Sequence, residues 1–543
     1  MSEKKRTGGN GKPAADIKKR ERKSGNAPAE NALAEVRGFN AATAVICLLS
    51  VLLCMIPALI YGAGFASSTD PIEYPLAGDP SGYSPYVQQF DAFEKGQTWL
   101  DVRVSEALAS LENPYDRAAR DKAGVWYMWD RALYNGKYYS YFGIAPILTV
   151  YYPCKLLTGK LPGDGTVMQV LLLIASVFMP LCVWQWAVSF APRVPRWLLL
   201  FAAPAFFWAT LIPLIARGWT PFYYIASVSG CAFLSVFIFL CLSAYGCASR
   251  AGRYILLAFA GVAYGLVFQS RLNIAVCAAF VILPGLWFLI IRRERPGADR
   301  RKAAFQAFFE LMALGLPVVL FFTGSFIFNA MRFSGPFDFG SAYQLTVADT
   351  STYKLRLSDI PFAFFHYLAA PAAKSETWPY ISFNYTYFTS YGHYVYRDAA
   401  LGLFNVPLMF SLLGSPAVIF THRFSGSRRA LTAGAVAGIA AVALLDFSLG
   451  GIIYRYTCDL TVIGAFFSVV VLLSASEKAE ASGKAGLKIP VYVLTALFLV
   501  FSIWASVRLC LINGNGNVVG YEAEVADKAA KLFPIPVSGG PAE

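Results

Sequence analysis

Eleven apolar stretches recur along this chain, at 39–64, 166–190, 197–216, 219–244, 254–270, 273–291, 305–329, 401–421, 429–448, 452–474 and 489–512. Each is close to the roughly 20 residues a helix needs to cross a hydrocarbon core of about 30 Å. Backbone N–H and C=O groups placed in hydrocarbon find no water, so each stretch must satisfy its own by forming a helix. The expected fold is therefore an all-α polytopic membrane protein with about eleven spans. Composition agrees: 57% of the residues are hydrophobic and only 15% are charged, against about 25% charged in soluble domains.

The formal charge of +13 would suit a nucleic-acid binder, but its distribution argues against one. Basic residues collect in the N-terminal tail and in short connectors such as "APRVPR", "ASRAGR", "RRERPGADRRK" and "THRFSGSRR". That is the positive-inside pattern of membrane topology. Ten Lys/Arg precede the first apolar stretch, which reads as a signal-anchor rather than a cleaved leader. The expectation is a multi-pass plasma-membrane protein with a cytoplasmic N-terminus and an outside C-terminus. Residues 1–38 form a disordered basic tail, 39–512 the membrane domain, and 513–543 a short outer tail. Two large outer regions, 65–165 and 332–400, hold most of the polar chemistry. Within the first, Tyr138 to Gly159 looks like a span, yet counting it would put the basic connectors outside. An interfacial helix fits better. Most of the ten cysteines lie inside apolar runs and imply no disulfide framework; with only three histidines, no histidine metal centre is expected.

Several motifs stand in the first outer region. "GDPSGY" places Asp79 four residues before Tyr83, "FDAFEKGQTWLD" follows with a helix ending at Gly96, and "YMWDRALYNGKYYSYFGIAP" carries Asp130 and Lys137. Asp79 is either a reactive carboxylate or the cap of a short helix, since Asp before Pro commonly starts one. Asp130 could pair with Arg131 or Arg117 and hold the loop together. Lys137 could snorkel to the interface.

In this order and membrane placement the chain resembles the GT-C superfamily of integral-membrane glycosyltransferases, of the protein O-mannosyltransferase and aminoarabinose transferase type (glycosyltransferase family 39-like). The matching elements are Asp79 to Tyr83, Gly96, Asn135 to Tyr139, and Pro146 to Gly159. The resemblance covers roughly the first 190 residues in motif and the rest in span pattern. It departs at Pro80, where the family has Glu, and at "FGIAP", where the family has a His or Lys and a further Pro.

The resemblance implies a polyprenyl-phosphate sugar donor, an acceptor hydroxyl from a glycan, lipid or protein, inversion at the anomeric carbon, and a carboxylate general base. Asp79 and Asp130 are the catalytic candidates, with Tyr83 beside the substrate. The leaving phosphate requires cationic or metal stabilisation, and Lys137, Arg271, Arg332 and Arg455 are the candidates for it. Arg455 has an alternative partner in Asp459 at i,i+4. No Walker lysine or Gly-rich phosphate loop is present, so no nucleotide cofactor is expected, while a divalent cation stays open. A polysaccharide ligase or polymerase, or a transporter or flippase, are the alternative readings.

Overall fold

A computed structural model describes residues 41–62, 69–216, 221–293, 299–347, 349–352, 356–376, 378–383, 399–421 and 424–512. The expected tails at 1–38 and 513–543, His393, His422 and most of the aromatic run 378–398 lie outside the described residues.

Among the described residues, nine helices are long and apolar enough to cross a membrane. They are α1 (Ala41–Gly62), α3 (Asp164–Phe190), α6 (Phe222–Gly246), α7 (Arg250–Ser270), α8 (Leu272–Gly285, continued as a π-turn over Leu286–Ile291), α9 (Arg300–Arg332), α11 (Gly426–Gly450), α12 (Cys458–Ala481) and α13 (Ala485–Cys510). The expected spans 197–216 and 401–421 are not single helices. The first is α4 (Leu199–Ala209) followed by α5 (Ile212–Ala216), broken at Leu211, whose φ of 55° no helix accommodates. The second is a 3-10 helix over Pro407–Gly414 that passes into α10 (Ser415–Phe420). Eight residues at about 2.0 Å and six at about 1.5 Å give roughly 25 Å, so a tighter helix reaches almost as far with fewer residues.

Contacts establish that both broken segments return the chain across the bundle. Phe178 meets Phe239, Gln185 bonds the Leu242 carbonyl, and Phe190 stacks on Tyr245, so α3 and α6 run parallel. The chain between them must therefore cross back. Likewise Arg428 at the start of α11 bonds the Phe190 carbonyl and Glu477, while Glu310 early in α9 pairs with Arg253 at the start of α7. The basic connectors thus gather at one end of the bundle, and 407–420 carries the return from α9 to α11. Among the described residues, nine long helices and two broken segments thus run between the two ends of the bundle.

Close helix contacts rest on small residues. A Cβ at Gly261 or Gly265 of α7 would lie 2.2 Å from the Leu314 carbonyl oxygen or 2.4 Å from the Phe321 ring of α9. In lipid, where burial against tails gains little, such backbone approach supplies the packing.

At the opposite end, residues 69–163 form a layer over the bundle. Helix α2 (Pro85–Glu94) buries Tyr86, Val87 and Phe90 against it. A hairpin pairs β1 (Ala132–Tyr134) with β2 (Lys137–Tyr139) through the positive-φ residues Asn135 and Gly136. The stretch Tyr138 to Gly159 holds a strand end and then a helical segment over 147–158, closed by Gly159 at φ 77°. Twelve residues reach only about 18 Å, short of a bilayer core. Leu156 and Leu157 point away from the protein, while Lys155 bonds Glu94 at 2.7 Å.

Candidate functional site

Three chain segments meet at the end of the bundle away from the basic connectors: the start of α6, the joint between α7 and α8, and the 3-10 turn Tyr454–Thr457 that leads into α12. The β-hairpin layer lies over them. Each segment is a helix terminus, so backbone direction changes there and polar side chains turn toward one another.

Arg271 is the single extended residue between α7 and α8. Its Nε lies 2.5 and 2.7 Å from the two carboxylate oxygens of Asp459, in the first turn of α12. Its guanidinium sits 4.4 Å from the centroid of Tyr456. Among the described residues its side-chain hydrogen bonds run from Nε to Asp459, and the side chain keeps 17% of its surface exposed. Asp459 in turn neighbours Asp446, whose Oδ1 accepts from Asn273 at 2.5 Å.

This arrangement corrects the expected Arg455–Asp459 pair. Arg455 lies in a 3-10 turn and Asp459 in the α-helix after it, so four residues do not place them on one helical stripe. Asp459 takes Arg271 instead. Arg455 lies over the rings of Tyr223 at 5.3 Å and Tyr456 at 5.4 Å.

Asp130 approaches from the hairpin side. Its φ of 51° is unusual for a residue with a side chain, and its amide donates to the Leu345 carbonyl at 3.0 Å. The Tyr223 hydroxyl donates to its carboxylate in a short hydrogen bond. The expected pairing with Arg117 or Arg131 gives way to this bond. Arg117 pairs with Asp121 on an exposed helix, and Arg131 donates to Gln88 Oε1 at 2.9 Å and to the carbonyls of Trp129 and Asp130. Burial lowers the Arg131 guanidinium to about 10, against the opposing pull of Tyr141, Tyr223, Asp130 and Asp164. Tyr141 shares the neighbourhood, and burial, followed by Asp130, holds its hydroxyl well above the usual range.

Asp130, Arg271 and Arg455 are thus brought together, with Tyr223 and Tyr456 between them. The other four candidates stand elsewhere. Asp79 is fully exposed and N-caps the turn Pro80–Gly82, accepting from the Ser81 amide at 2.9 Å and the Ser81 hydroxyl at 2.7 Å. Those bonds hold its carboxyl below the usual range. It lines a polar surface cleft with Asp101, Arg103, Ser105, Glu106 and Trp126. A relay links it to the cluster: the Pro80 carbonyl accepts from Gln88, which accepts from Arg131. Tyr83 closes the same turn through its amide on the Pro80 carbonyl. Lys137 rests 3.4 Å above the Trp99 ring. Arg332 donates to the Ser140 carbonyl at 2.6 Å and to Asn329 at 2.8 Å, pinning the exit of β2 to the end of α9.

Tyr223 and Tyr141 escape a reading by motif, as do the Gln88 partner of Arg131 and the Arg271 partner of Asp459, because these contacts join segments distant in sequence. Gly143 in "SYFGIAP" also escapes it. A Cβ there would lie 2.1 Å from the Gln269 carbonyl oxygen and 2.4 Å from that of Ser270, so the hairpin exit seats directly on the turn that carries Arg271. The five charged or phenolic groups that converge, Asp130, Arg271, Arg455, Tyr223 and Tyr456, can hold an anion with the arginines while a carboxylate stands by to take a proton.

No protein-family model matches the chain, and no curated protein matches it. Among solved structures, a crystal structure of the Archaeoglobus fulgidus oligosaccharyltransferase, tethered with an acceptor peptide containing the NVT sequon via a disulfide bond, is similar to 90% of this chain with 12% identity and a TM-score of 0.41. The matched region spans 58% of that protein's chain, under two thirds of its length.

Proposed function

We propose that this protein is a membrane glycosyltransferase of the GT-C type that transfers a sugar from a polyprenyl-phosphate donor to an acceptor hydroxyl, at the membrane face opposite the basic connectors. One observation carries the reading: Asp130, Arg271 and Arg455 converge at helix ends under a polar layer, at the level where a lipid-anchored phosphate would stand. The positive-inside pattern supports a plasma-membrane orientation with that face outside.

In this reading Arg271 is a preset phosphate ligand. Asp459 holds its Nε side, and its two amino groups grip the phosphate as a fork. Arg455 adds a second charge from across Tyr223 and Tyr456. Asp130 is the general base, because it alone of the two catalytic candidates shares this neighbourhood. The acceptor oxygen bonds to the anomeric carbon as the bond from that carbon to the phosphate oxygen breaks, with inversion. The hydroxyl proton passes to the Asp130 carboxylate, and the electron pair leaves with the phosphate, where the arginines stabilise the added charge. Tyr223 orients the carboxylate. Asp79, on its exposed cleft, is the rival base.

The test compares Asp130→Asn and Asp79→Asn in membranes containing polyprenyl-phosphate sugars, with expression and helical content matched. Removing a general base lowers turnover by about 10²- to 10⁴-fold. The expected loss falls on Asp130→Asn. Loss only in Asp79→Asn would move the base to the cleft. Full glycan products in both variants would end the assignment.

A further inference from the structure

Asp446 of α11 stands beside the arginine site and takes no part in the transfer described above. It is fully buried and lies four residues before α11 ends at Gly450. Its Oδ1 accepts from Asn273 Nδ2 at 2.5 Å. Its Oδ2 is equally buried and accepts from no donor among the described residues. A buried carboxylate oxygen without a donor is costly, and the more so near a helix C-terminus, where the dipole opposes negative charge.

The charged side chains that face Asp446 are Asp459, in the first turn of α12, and Arg271, between α7 and α8. Cys277 of α8 and Tyr367 also stand alongside, both of types uncharged at neutral pH. The Tyr367 hydroxyl donates to the Gly451 carbonyl at 2.9 Å. Arg271 is already matched by Asp459, whose two oxygens lie 2.5 and 2.7 Å from its Nε. Two buried carboxylates therefore share one guanidinium. Like charges so placed do not both ionise, and one group keeps its proton. Arg271 engages both oxygens of Asp459, so the proton belongs on Oδ2 of Asp446. From there it bonds to the Asp459 carboxylate, and both oxygens of Asp446 are satisfied.

We infer that Asp446 is a neutral carboxylic acid that donates from Oδ2 to Asp459, a positioning residue that holds the carboxylate on which Arg271 is set. The proton follows from hydrogen-bond geometry, while the effect on donor binding rests on the glycosyl-transfer reading.

Infrared spectroscopy of the full chain, in a detergent without ester or carboxyl groups, tests the proton. A protonated carboxyl has a carbonyl stretch above the amide bands that a carboxylate lacks. A band is expected at neutral pH that Asp130→Asn retains and Asp446→Asn loses. A spectrum unchanged by Asp446→Asn would overturn the proposal, and so would a band lost from Asp459→Asn alone. Binding of polyprenyl phosphate to the same preparations tests the positioning. Asn offers Asp459 an amide donor in place of the hydroxyl, so Asp446→Asn should bind within about twofold of the unaltered chain. Asp446→Val has no donor and should bind about 10- to 100-fold more weakly while still monodisperse by size exclusion. Equal binding by the Val and Asn variants would overturn the positioning role. If the unaltered chain binds no polyprenyl phosphate, the donor reading falls and the infrared band still decides the proton.

Discussion

Asp130 and Arg271 each take partners, Tyr223 and Asp459, that local sequence does not reveal. Tyr223 supplies the hydrogen bond to Asp130, and a bond to a charged group contributes about 1.5–3 kcal/mol. Tyr223→Phe is therefore expected to lower turnover roughly 10- to 100-fold with little change in folding; unchanged single-turnover rates would dismiss the bond from the mechanism. Arg271→Lys keeps the charge but loses the planar fork. A rise in KM for the donor, larger than the fall in kcat, is expected from steady-state kinetics. Outside the spans, His366 offers a pH prediction. Burial lowers its imidazole from 6.5 to about 4, so the unfolded chain binds more protons between those values. Stability then falls as pH drops from about 6.5 to 4 and levels off below, a contribution of up to about 3 kcal/mol. His366→Phe should flatten the melting temperature across that window.

Helix ends and turns decide the site at the scale of elements. The joint between α7 and α8 is one residue long, which fixes Arg271 between two helices and leaves it no freedom to follow either. The hairpin exit at Gly143 presses on the same joint, so Gly143→Ala forces the backbone of one segment off the other. Overpacking of this kind costs about 1–3 kcal/mol. The expected result is a lower melting temperature together with loss of transfer, whereas Gly136→Ala, with open space around it but a φ of 70°, should cost stability alone. Activity retained in Gly143→Ala would separate the hairpin from the arginine site. On the connector side, a Cβ at Gly434 of α11 would meet the Phe280 carbonyl oxygen at 2.2 Å, so Gly434→Leu should part α11 from α8 and reduce the yield of folded protein.

For the whole molecule, the contacts divide the positions at the helix ends and in the loops into two sets. Arg193, Arg250, Arg300 and Lys484 belong to the connector end, while Arg103, Lys137 and Leu357 belong to the other. Single cysteines at these positions, probed with a membrane-impermeant thiol reagent on intact cells, should label only in the second set. Mixed labelling would refute the eleven-crossing arrangement.

Apolar run length and the placement of Arg and Lys were sufficient to read an all-α membrane bundle, because bilayer thickness and backbone satisfaction act on each segment by itself. Charge near a span end also named Arg271, Arg332 and Arg455 as phosphate candidates, while motif order put Asp79 ahead of Asp130 as the base. The breaks at Leu211 and over 407–414 were not legible, because apolar content reports burial in lipid and not backbone geometry. Nor was the partner of Asp459, which depended on a 3-10 turn that no spacing rule distinguishes from a helix. Only the tertiary structure brought Asp130 to Tyr223, whereas the cap at Asp79 was one of two readings that the sequence already offered. Those pairings join residues 93 and 188 positions apart, and what unites them is the meeting of helix ends, a property of packing rather than of any segment.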